Sequence, residues 1–290
     1  MIGAIVGDIV GSRFEFDNHK SKDFELFAVC GKLNGVVDED LRTMLDSSTF
    51  SDDSVMTLAI AKAILRWKEM ESPTCRDLSR IAAASMREFG NMYPLAGYGG
   101  TFARWLRDET MGPYDSWGNG AAMRVSACGW AGRTLDEVKA MSRAVTEVTH
   151  NHPEGIKGAE ATAVATFLAR IGKSKEEIES AIVQDYYPLD FTLDEIRPDY
   201  EFDVSCQGSV PQALEAFVES TSFEDAVRNA VSIGGDSDTI AAICGAVAGA
   251  FYGVPDDIRA KAETFLSAHL LGVLHDFERM SEKDFAASGG

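Results

Sequence analysis

The chain has 290 residues, with 27 lysines and arginines against 46 aspartates and glutamates, which gives a formal net charge of −19. A field of that sign repels nucleic-acid backbones and anionic lipid surfaces, so the composition excludes a basic nucleic-acid scaffold and a basic membrane-surface binder. Because 45% of the residues are hydrophobic and the charges are spread along the chain, the sequence also excludes a disordered acidic tail and predicts a folded core.

Cysteine usage and apolar stretches predict the compartment. The five cysteines, Cys30 among them, form no CxxC pair, which argues against a disulfide framework and a thiolate zinc site. The first residues are apolar but carry Asp8 and no basic segment, so no signal peptide is predicted. The most apolar stretch, Thr239–Val254, is shorter than the roughly 20 residues of a membrane span. We therefore expect a cytoplasmic protein without membrane contact, in which this stretch is a buried core helix.

Where hydrophobic periodicity is legible, it predicts helices. In chain order these are Ser54–Met70, Leu135–Val148, Gly158–Ile171, Glu176–Val183, Gln212–Ser220, Phe223–Ile233 and Thr239–Val254. Three of them follow Ser/Thr-x-x-Glu/Asp boxes, whose side chains accept the free N–H groups of a first turn; the boxes start at Thr134, Ser174 and Ser222. The glycine- and aromatic-rich stretches Met92–Thr101 and Met111–Gly120 predict ordered loops.

Strand signals are poor, and the β-branched run Gly35–Val37 is isolated. We find neither an internal repeat nor a convincing domain boundary. The pattern therefore predicts a single all-α globule.

Two short acidic clusters each open a predicted apolar helix. Their carboxylates and hydroxyls are oxygen ligands of the kind that suits Mg²⁺ or Mn²⁺. The alternative is helix capping, since acidic and hydroxyl residues at a helix N-terminus are favoured by the dipole and need no metal. Four carboxylates brought together would repel one another unless cations neutralised them. The candidate metal ligands are Ser51, Asp52, Asp53, Asp236, Asp238 and Thr239.

A glycine-rich segment offers a site for an anion. Gly118, Asn119 and Gly120 can turn backbone N–H groups toward an anion without obstruction by side chains. In so acidic a protein, an anionic ligand needs such amides, a metal or the nearby Arg124 to hold it against the prevailing field. A plain turn is the alternative interpretation.

Two further features are ambiguous from the residues alone. Tyr98, Gly99 and Gly100 form a second glycine loop, for which ordinary turn chemistry is an equal alternative. His150 and His152 are spaced as half of a metal site, but two histidines without a nearby third ligand favour a structural role.

Five motifs taken together resemble the ADP-ribosylglycohydrolase family, over essentially the whole chain and in the family's order. They are GDIVGSRFEF at Gly7–Phe16, FSDDSVMT at Phe50–Thr57, SWGNGAAMRVS at Ser116–Ser126, THNHPEGIKGA at Thr149–Ala159 and GGDSDTIAAICG at Gly234–Gly245. The resemblance implies a compact, single-domain, all-α orthogonal helix bundle with a dinuclear metal cleft. We expect this domain over residues 1–285 and a flexible tail at 286–290.

The resemblance also implies site residues. It implies two Mg²⁺ or Mn²⁺ ions, held by a family T-D-D motif that begins here at Ser51, with serine in place of the usual threonine, and by a D-x-D-T motif that begins at Asp236. The family's glutamate falls on Glu15, which is expected to touch a metal or gate the cleft. The SWGNG loop is expected around the phosphates and ribose, with His150 beside bound ADP-ribose.

The implied activity is hydrolysis of the glycosidic bond between ADP-ribose and an acceptor, with Asp52, Asp53 and Asp238 holding the metals and one of them serving as base. Glu15 is the candidate general acid/base. The alternatives are a non-catalytic ADP-ribose-binding member and a dinuclear metal phosphoesterase that cuts the pyrophosphate. The expected partner is ADP-ribose or an ADP-ribosylated substrate. Arginine, serine, acetyl ester and nucleobase acceptors all stay open. Nucleic acid is expected only as a modified base or end, and the protein is expected to be a monomer.

Overall fold

The computed structural model describes residues 1–28 and 47–287, and within these ranges the chain is helical without a β-strand. Two 3₁₀ helices, Ser12–Phe14 and Asn119–Ala121, accompany fourteen α-helices in the described ranges. The α-helices are α1 (Ile2–Gly11), α2 (Asp52–Lys68), α3 (Cys75–Met92), α4 (Gly100–Arg107), α5 (Ser126–Ala131), α6 (Leu135–Thr146), α7 (Pro153–Arg170), α8 (Lys175–Asp185), α9 (Leu193–Ile196), α10 (Cys206–Val218), α11 (Phe223–Ser232), α12 (Ser237–Tyr252), α13 (Asp256–Glu263) and α14 (Ala268–Ala287). The prediction of an all-α fold is confirmed. Cys30, Gly35–Val37 and the end of the predicted tail at 288–290 lie outside the described residues.

The three predicted boxes do start helices, although only one box is complete. Thr134, Ser174 and Ser222 each accept the backbone N–H of the residue three positions later, at 3.1–3.3 Å. At Ser174 the carboxylate of Glu177 accepts the Ser174 N–H in return, at 2.9 Å. In the other two boxes the carboxylate accepts an N–H one residue further upstream. The hydroxyl therefore fixes where the helix begins, and the carboxylate accepts a hydrogen bond from a backbone N–H just before the helix.

The core is built around two apolar helices, α12 and α1. Every residue from Ser237 to Ala248 in α12 is buried, which confirms the predicted core helix. All ten residues of α1 are buried too, although the sequence pattern did not predict this helix. Its three glycines lower the intrinsic helix propensity, so tertiary packing overrides the local preference. In the described part of the chain, no helix is both long and apolar enough to cross a membrane.

Glycines on one face of α1 let its backbone touch that of α12. Gly3, Gly7 and Gly11 are four residues apart and therefore share a face. A Cβ added to Gly7 would lie 1.9 Å from the Ala241 carbonyl oxygen, and one added to Gly11 would lie 2.5 Å from the Asp238 Cα. Real Cβ atoms cannot approach so closely. The two helices run antiparallel, so the end of α1 meets the start of α12.

Replacing Gly7 with alanine should destabilise the protein, because the added methyl group overlaps the backbone of α12 and must push the two helices apart. We expect the free energy of unfolding to fall by about 1–3 kcal/mol, in spite of the higher helix propensity of alanine. Urea unfolding followed by circular dichroism measures the change.

Gly272→Ala is the matched control for this substitution. Gly272 lies within α14, and a Cβ added there meets no atom within 4 Å. Its unfolding free energy should stay the same or rise by about 0.4–1 kcal/mol. Equal stability of the two variants would contradict the backbone contact between α1 and α12.

Candidate functional site

A cleft of about 450 Å³ opens at the first turns of α2 and α12. Acidic groups line one part of its wall, and glycine loops with a buried arginine and histidine line another. The acidic lining residues are Glu15, Asp52, Asp53, Asp236 and Asp238. The remaining predicted residues on the wall are Gly99, Gly100, Gly118, Asn119, Gly120, Arg124, His150 and Thr239.

Carboxylates from three segments form two groups of three that share one member. One oxygen each from Asp8, Asp53 and Asp238 lie within 4.8 Å of one another. The same holds for Glu15, Asp236 and Asp238. The structure thus brings the two predicted acidic segments together, and Asp238 belongs to both groups.

Asp8 is the member of this cluster that the sequence reasoning missed. It is fully buried, and its carboxylate accepts the Ser51 N–H at 3.0 Å, the Ser51 hydroxyl at 2.7 Å and the Ser54 N–H at 3.0 Å. The Ser54 hydroxyl donates to it as well. These bonds attach the start of α2 to α1. The available signal was the position of Asp8 inside the GDIVG motif, a lone charge in an apolar segment.

The capping alternative holds for α2 and not for α12. At α2 the Ser51 hydroxyl accepts the Asp53 N–H at 3.2 Å, as an N-cap does. At α12 the Asp236 side chain makes no cap bond and instead accepts from Asn119 Nδ2 at 2.7 Å. Thr239 Oγ1 donates to Asp53 Oδ2 at 3.2 Å, whereas Asp53 Oδ1 is buried with no hydrogen-bond partner among the described residues. Capping therefore leaves a carboxylate oxygen of the cluster unsatisfied.

Burial and mutual repulsion raise the pKa values throughout the cluster. Burial is the largest cause of the raised pKa in each case. At Asp52, Asp53 and Asp238 the charges of neighbouring carboxylates raise the pKa further. The pKa of Asp236 rises to about 6, and that of Glu15 rises to about 8 because of burial and of the charges on Asp238 and Asp8. The cluster is therefore a site of excess negative charge that a cation would relieve.

Arg124 carries a buried positive charge on the same cleft wall. Its side chain is 1% exposed, and its Nη2 donates to Thr149 Oγ1 at 2.7 Å. Its Nε is buried without a partner among the residues described, and burial lowers the pKa of the guanidinium to about 10. Burial and the Arg124 charge lower the pKa of the adjacent His150 well below its ordinary value. A neutral imidazole therefore lies beside a guanidinium whose Nε has no hydrogen-bond partner among the described residues.

The SWGNG loop is shaped by contacts inside the protein. The backbone N–H of Asn119 donates to the Val204 carbonyl at 2.7 Å, and that of Gly118 donates to Ser116 Oγ at 3.2 Å. A Cβ on Gly118 would lie 3.5 Å from His150 Nε2. The amides of Gly118 and Asn119 are therefore engaged within the protein, and the loop lies against the His150 ring.

Tyr98 lies beside the cleft rather than on its wall. Its ring packs against Phe102, with the centroids 5.8 Å apart. Its hydroxyl is buried without a hydrogen-bond partner in the described ranges, and burial with the nearby Asp52 charge raises its pKa. The neighbouring Gly99 and Gly100 leave open space, since no atom lies within 4 Å of an added Cβ at either position.

The sequence model of the ADP-ribosylglycohydrolase family matches residues 1–285. The chain belongs to the ADP-ribosylglycohydrolase family. The resemblance drawn from the five motifs is confirmed, and family membership makes the chain an ADP-ribosyl glycohydrolase, an enzyme that hydrolyses ADP-ribose linkages.

Similar proteins span this glycohydrolase nearly end to end. ADP-ribosylhydrolase ARH3 from Xenopus tropicalis is 25% identical, over 92% of this chain and 91% of that protein. ADP-ribosylarginine hydrolase Tri1 from Pseudomonas putida is 27% identical, over 88% of this chain and 70% of that protein. A solved structure titled "ADP-ribosylglycohydrolase-related protein complex" is 22% identical, with a TM-score of 0.61 over 94% of each chain, and it shows the shared fold.

Acidification should reduce the contribution of His150 to the free energy of unfolding. In the unfolded chain a histidine takes up a proton near pH 6.5, whereas the folded protein keeps His150 neutral to lower pH. Stability from this group is therefore present above pH 6.5 and is lost as the pH falls below it, by up to about 1.4 kcal/mol at pH 5.5. His150→Gln should lose less unfolding free energy between pH 7.5 and 5.5 in urea titrations. Equal losses would show that folded His150 is protonated normally.

Proposed function

We propose that this glycohydrolase cleaves the bond between the distal ribose of ADP-ribose and an acceptor with the help of two Mg²⁺ or Mn²⁺ ions in the carboxylate cluster. The observation that carries the proposal is the position of Asp238 in both groups of three carboxylates. A carboxylate shared by two adjacent groups of oxygen ligands could contact both ions of a closely spaced pair.

The residues of the cluster fit such ions. All donors are oxygens, which hard divalent cations prefer. Asp53 Oδ1 is buried and without a hydrogen-bond partner among the described residues, so it is available as a ligand. Ser51 donates its hydroxyl to Asp8 at 2.7 Å and would orient that carboxylate. The proposed ligand set is Asp8 and Glu15 together with the predicted Ser51, Asp52, Asp53, Asp236, Asp238 and Thr239.

The proposed reaction adds water across the glycosidic bond. Bound divalent cations would lower the pKa of a water molecule and orient the ribose hydroxyls. The bond from the ribose anomeric carbon to the acceptor breaks, the carbon receives the hydroxyl of the water, and the acceptor receives a proton. The carboxylates of Asp52, Asp53 and Asp238 would stabilise the positive charge that develops on the ribose, and one of them would accept the water's proton. Glu15 is the proposed acid/base or gating residue.

The part of the wall that carries Arg124 and His150 is proposed to bind the ADP portion. Arg124 supplies a buried guanidinium whose Nε has no hydrogen-bond partner in the described part of the chain, and His150 supplies a neutral ring beside it. A pyrophosphate would accept hydrogen bonds from Arg124. This pairing would offset the repulsion between the phosphates and the negative charge of the rest of the protein. The proposed substrate-binding residues are Gly99, Gly100, Gly118, Asn119, Gly120, Arg124 and His150 on the wall, together with Tyr98 beside it.

We also propose one catalytic domain over residues 1–285 with a tail at 286–290, a monomer, and a cytoplasmic location. The cysteines support the location, because Cys75, Cys128, Cys206 and Cys244 are all free thiols. Proteins of reducing compartments keep their thiols in this state.

Asp238→Asn should lower kcat/KM by more than about 100-fold, because it removes the carboxylate that both groups share; changes at outer-sphere positions of metal sites cost about 10–100-fold. The assay is chromatographic detection of ADP-ribose released from ADP-ribosylated arginine, serine and nucleobase substrates. Asp190→Asn, at an exposed position far from the cluster in sequence, is the control and should keep wild-type activity. Release of AMP would identify a phosphoesterase instead, and tight binding without turnover would identify a non-catalytic binder.

Removal of divalent cations by a chelator should abolish turnover, and Mg²⁺ or Mn²⁺ should restore it. The same ions should raise the melting temperature, since a ligand at 100 times its Kd stabilises the folded state by about 2.7 kcal/mol. Asp53→Asn should lose most of this thermal shift, and Asp190→Asn should keep it. Equal activity with and without chelator would contradict the assignment of the metal site.

A further inference from the structure

Two identical tripeptides adjoin the cleft, and each contributes one lining residue, Glu15 or Phe202. Glu15-Phe16-Asp17 follows the first 3₁₀ helix, and Glu201-Phe202-Asp203 precedes α10. The Phe16 and Phe202 rings are stacked, with centroids 6.1 Å apart and planes inclined by 23°. Phe16 is 79% exposed and Phe202 is 49% exposed, and Phe202 lines the cleft together with Glu15. An exposed aromatic pair therefore adjoins the acidic part of the site.

The backbone on both sides of Phe202 is held in place. Lys20 Nζ donates to the carbonyls of Tyr200 and Ile233, the second at 2.6 Å. The Tyr200 hydroxyl donates to the Gly208 carbonyl at 2.6 Å, and the Val204 carbonyl accepts the Asn119 N–H at 2.7 Å. These bonds fix the segment without using the Phe202 ring, so the fold places the ring at the surface.

The backbone beside Phe16 is fixed in the same way. The Asp17 N–H donates to the Phe14 carbonyl at 3.1 Å. Asn18 Oδ1 accepts the Gly235 N–H at 3.1 Å, in the turn that leads into α12. Phe16 is thus tied to the segment that carries Asp236 and Asp238, and its ring points away from the core.

The surroundings of the aromatic pair are acidic. Asp17 and Glu201 are exposed, whereas the Asp203 carboxylate accepts the Ser205 N–H at 2.7 Å. The nearby cations Arg13 and Lys20 donate to backbone carbonyls, and Lys20 also attracts Glu201 electrostatically. A guanidinium stacks on aromatic faces and pairs with carboxylates, so this rim matches a planar cation. It offers less to a serine side chain, and its charge repels a nucleic-acid backbone.

The pair also lies next to the place where the acceptor would leave. Glu15 belongs to a carboxylate group with Asp236 and Asp238, and Phe16 is the next residue. We propose that Phe16 and Phe202 form the acceptor platform and select ADP-ribose linked to the guanidinium of arginine. The inference rests on the proposed hydrolysis and names the acceptor for that reaction.

The kinetic test compares arginine-linked and serine-linked ADP-ribose in otherwise identical peptides. In Phe16→Leu and Phe202→Leu, kcat/KM for the arginine-linked peptide should fall about 5–10-fold, as expected for a lost cation–π contact. Turnover of the serine-linked peptide and inhibition by free ADP-ribose should be unchanged. Phe16→Tyr keeps an aromatic face and should keep the wild-type preference. A parallel loss for both linkages, or no loss for either, would overturn the proposal.

The carboxylates of the rim give a second arm of the kinetic test. Asp17→Asn and Glu201→Gln should lower kcat/KM for the arginine-linked peptide and leave that for the serine-linked peptide unchanged. Added salt should reduce the difference in kcat/KM between each variant and wild type. Asp190→Asn is the matched control and should leave the preference unchanged. Unchanged arginine preference in the double variant Asp17→Asn/Glu201→Gln would contradict the role of these charges.

A binding measurement separates this inference from the proposed hydrolysis. Calorimetry with wild-type protein and Mg²⁺ compares the arginine-linked peptide with free ADP-ribose. If neither linkage is turned over, the proposed hydrolysis fails; tighter binding of the arginine-linked peptide, lost in Phe202→Leu, would still support the platform. Equal affinities in wild type, or no binding of the conjugate, would overturn it. Melting curves of each variant confirm that it is folded.

Discussion

The backbone contact between α1 and α12 is the constraint on which the site depends. Because Gly7 and Gly11 have no side chain, the end of α1 lies against the first turn of α12, where Asp238 begins the acidic cluster. Asp8 on α1 then accepts hydrogen bonds from Ser51 and Ser54 and draws the start of α2 to the same place. A wider spacing of the two helices would separate these carboxylates. Core packing and site assembly are therefore one feature of the fold.

The cost of this arrangement is electrostatic. Buried carboxylates with few compensating charges raise one another's pKa, as at Asp53 and Asp238, and leave Asp53 Oδ1 without a hydrogen bond among the described residues. Such locally destabilising arrangements are common at functional sites, where activity requires groups that lower stability. The large apolar core that surrounds α1 and α12 is what allows the conflict to persist.

The cleft divides its chemistry between its parts. Carboxylates gather at the first turns of α2 and α12, whereas Arg124 and His150 place a buried cation and a neutral ring on another part of the wall. The aromatic rim of Phe16 and Phe202 adjoins the acidic part. This division would orient the proposed substrate, because the acidic part would repel its anionic portion.

The sequence by itself determined several helix starts, one core helix and the outline of the site. Helix starts at Thr134, Ser174 and Ser222 follow from hydroxyls that bond N–H groups three residues away, and the long apolar run from Thr239 could only be buried. The motifs also gave the family and the two acidic segments, because motif order is written in the chain. Only the tertiary structure decided that α1 is a core helix, that Asp8 joins the carboxylates, and that Phe16 stacks on Phe202. Each of these depends on segments far apart in sequence, whose approach is set by packing and leaves no local pattern.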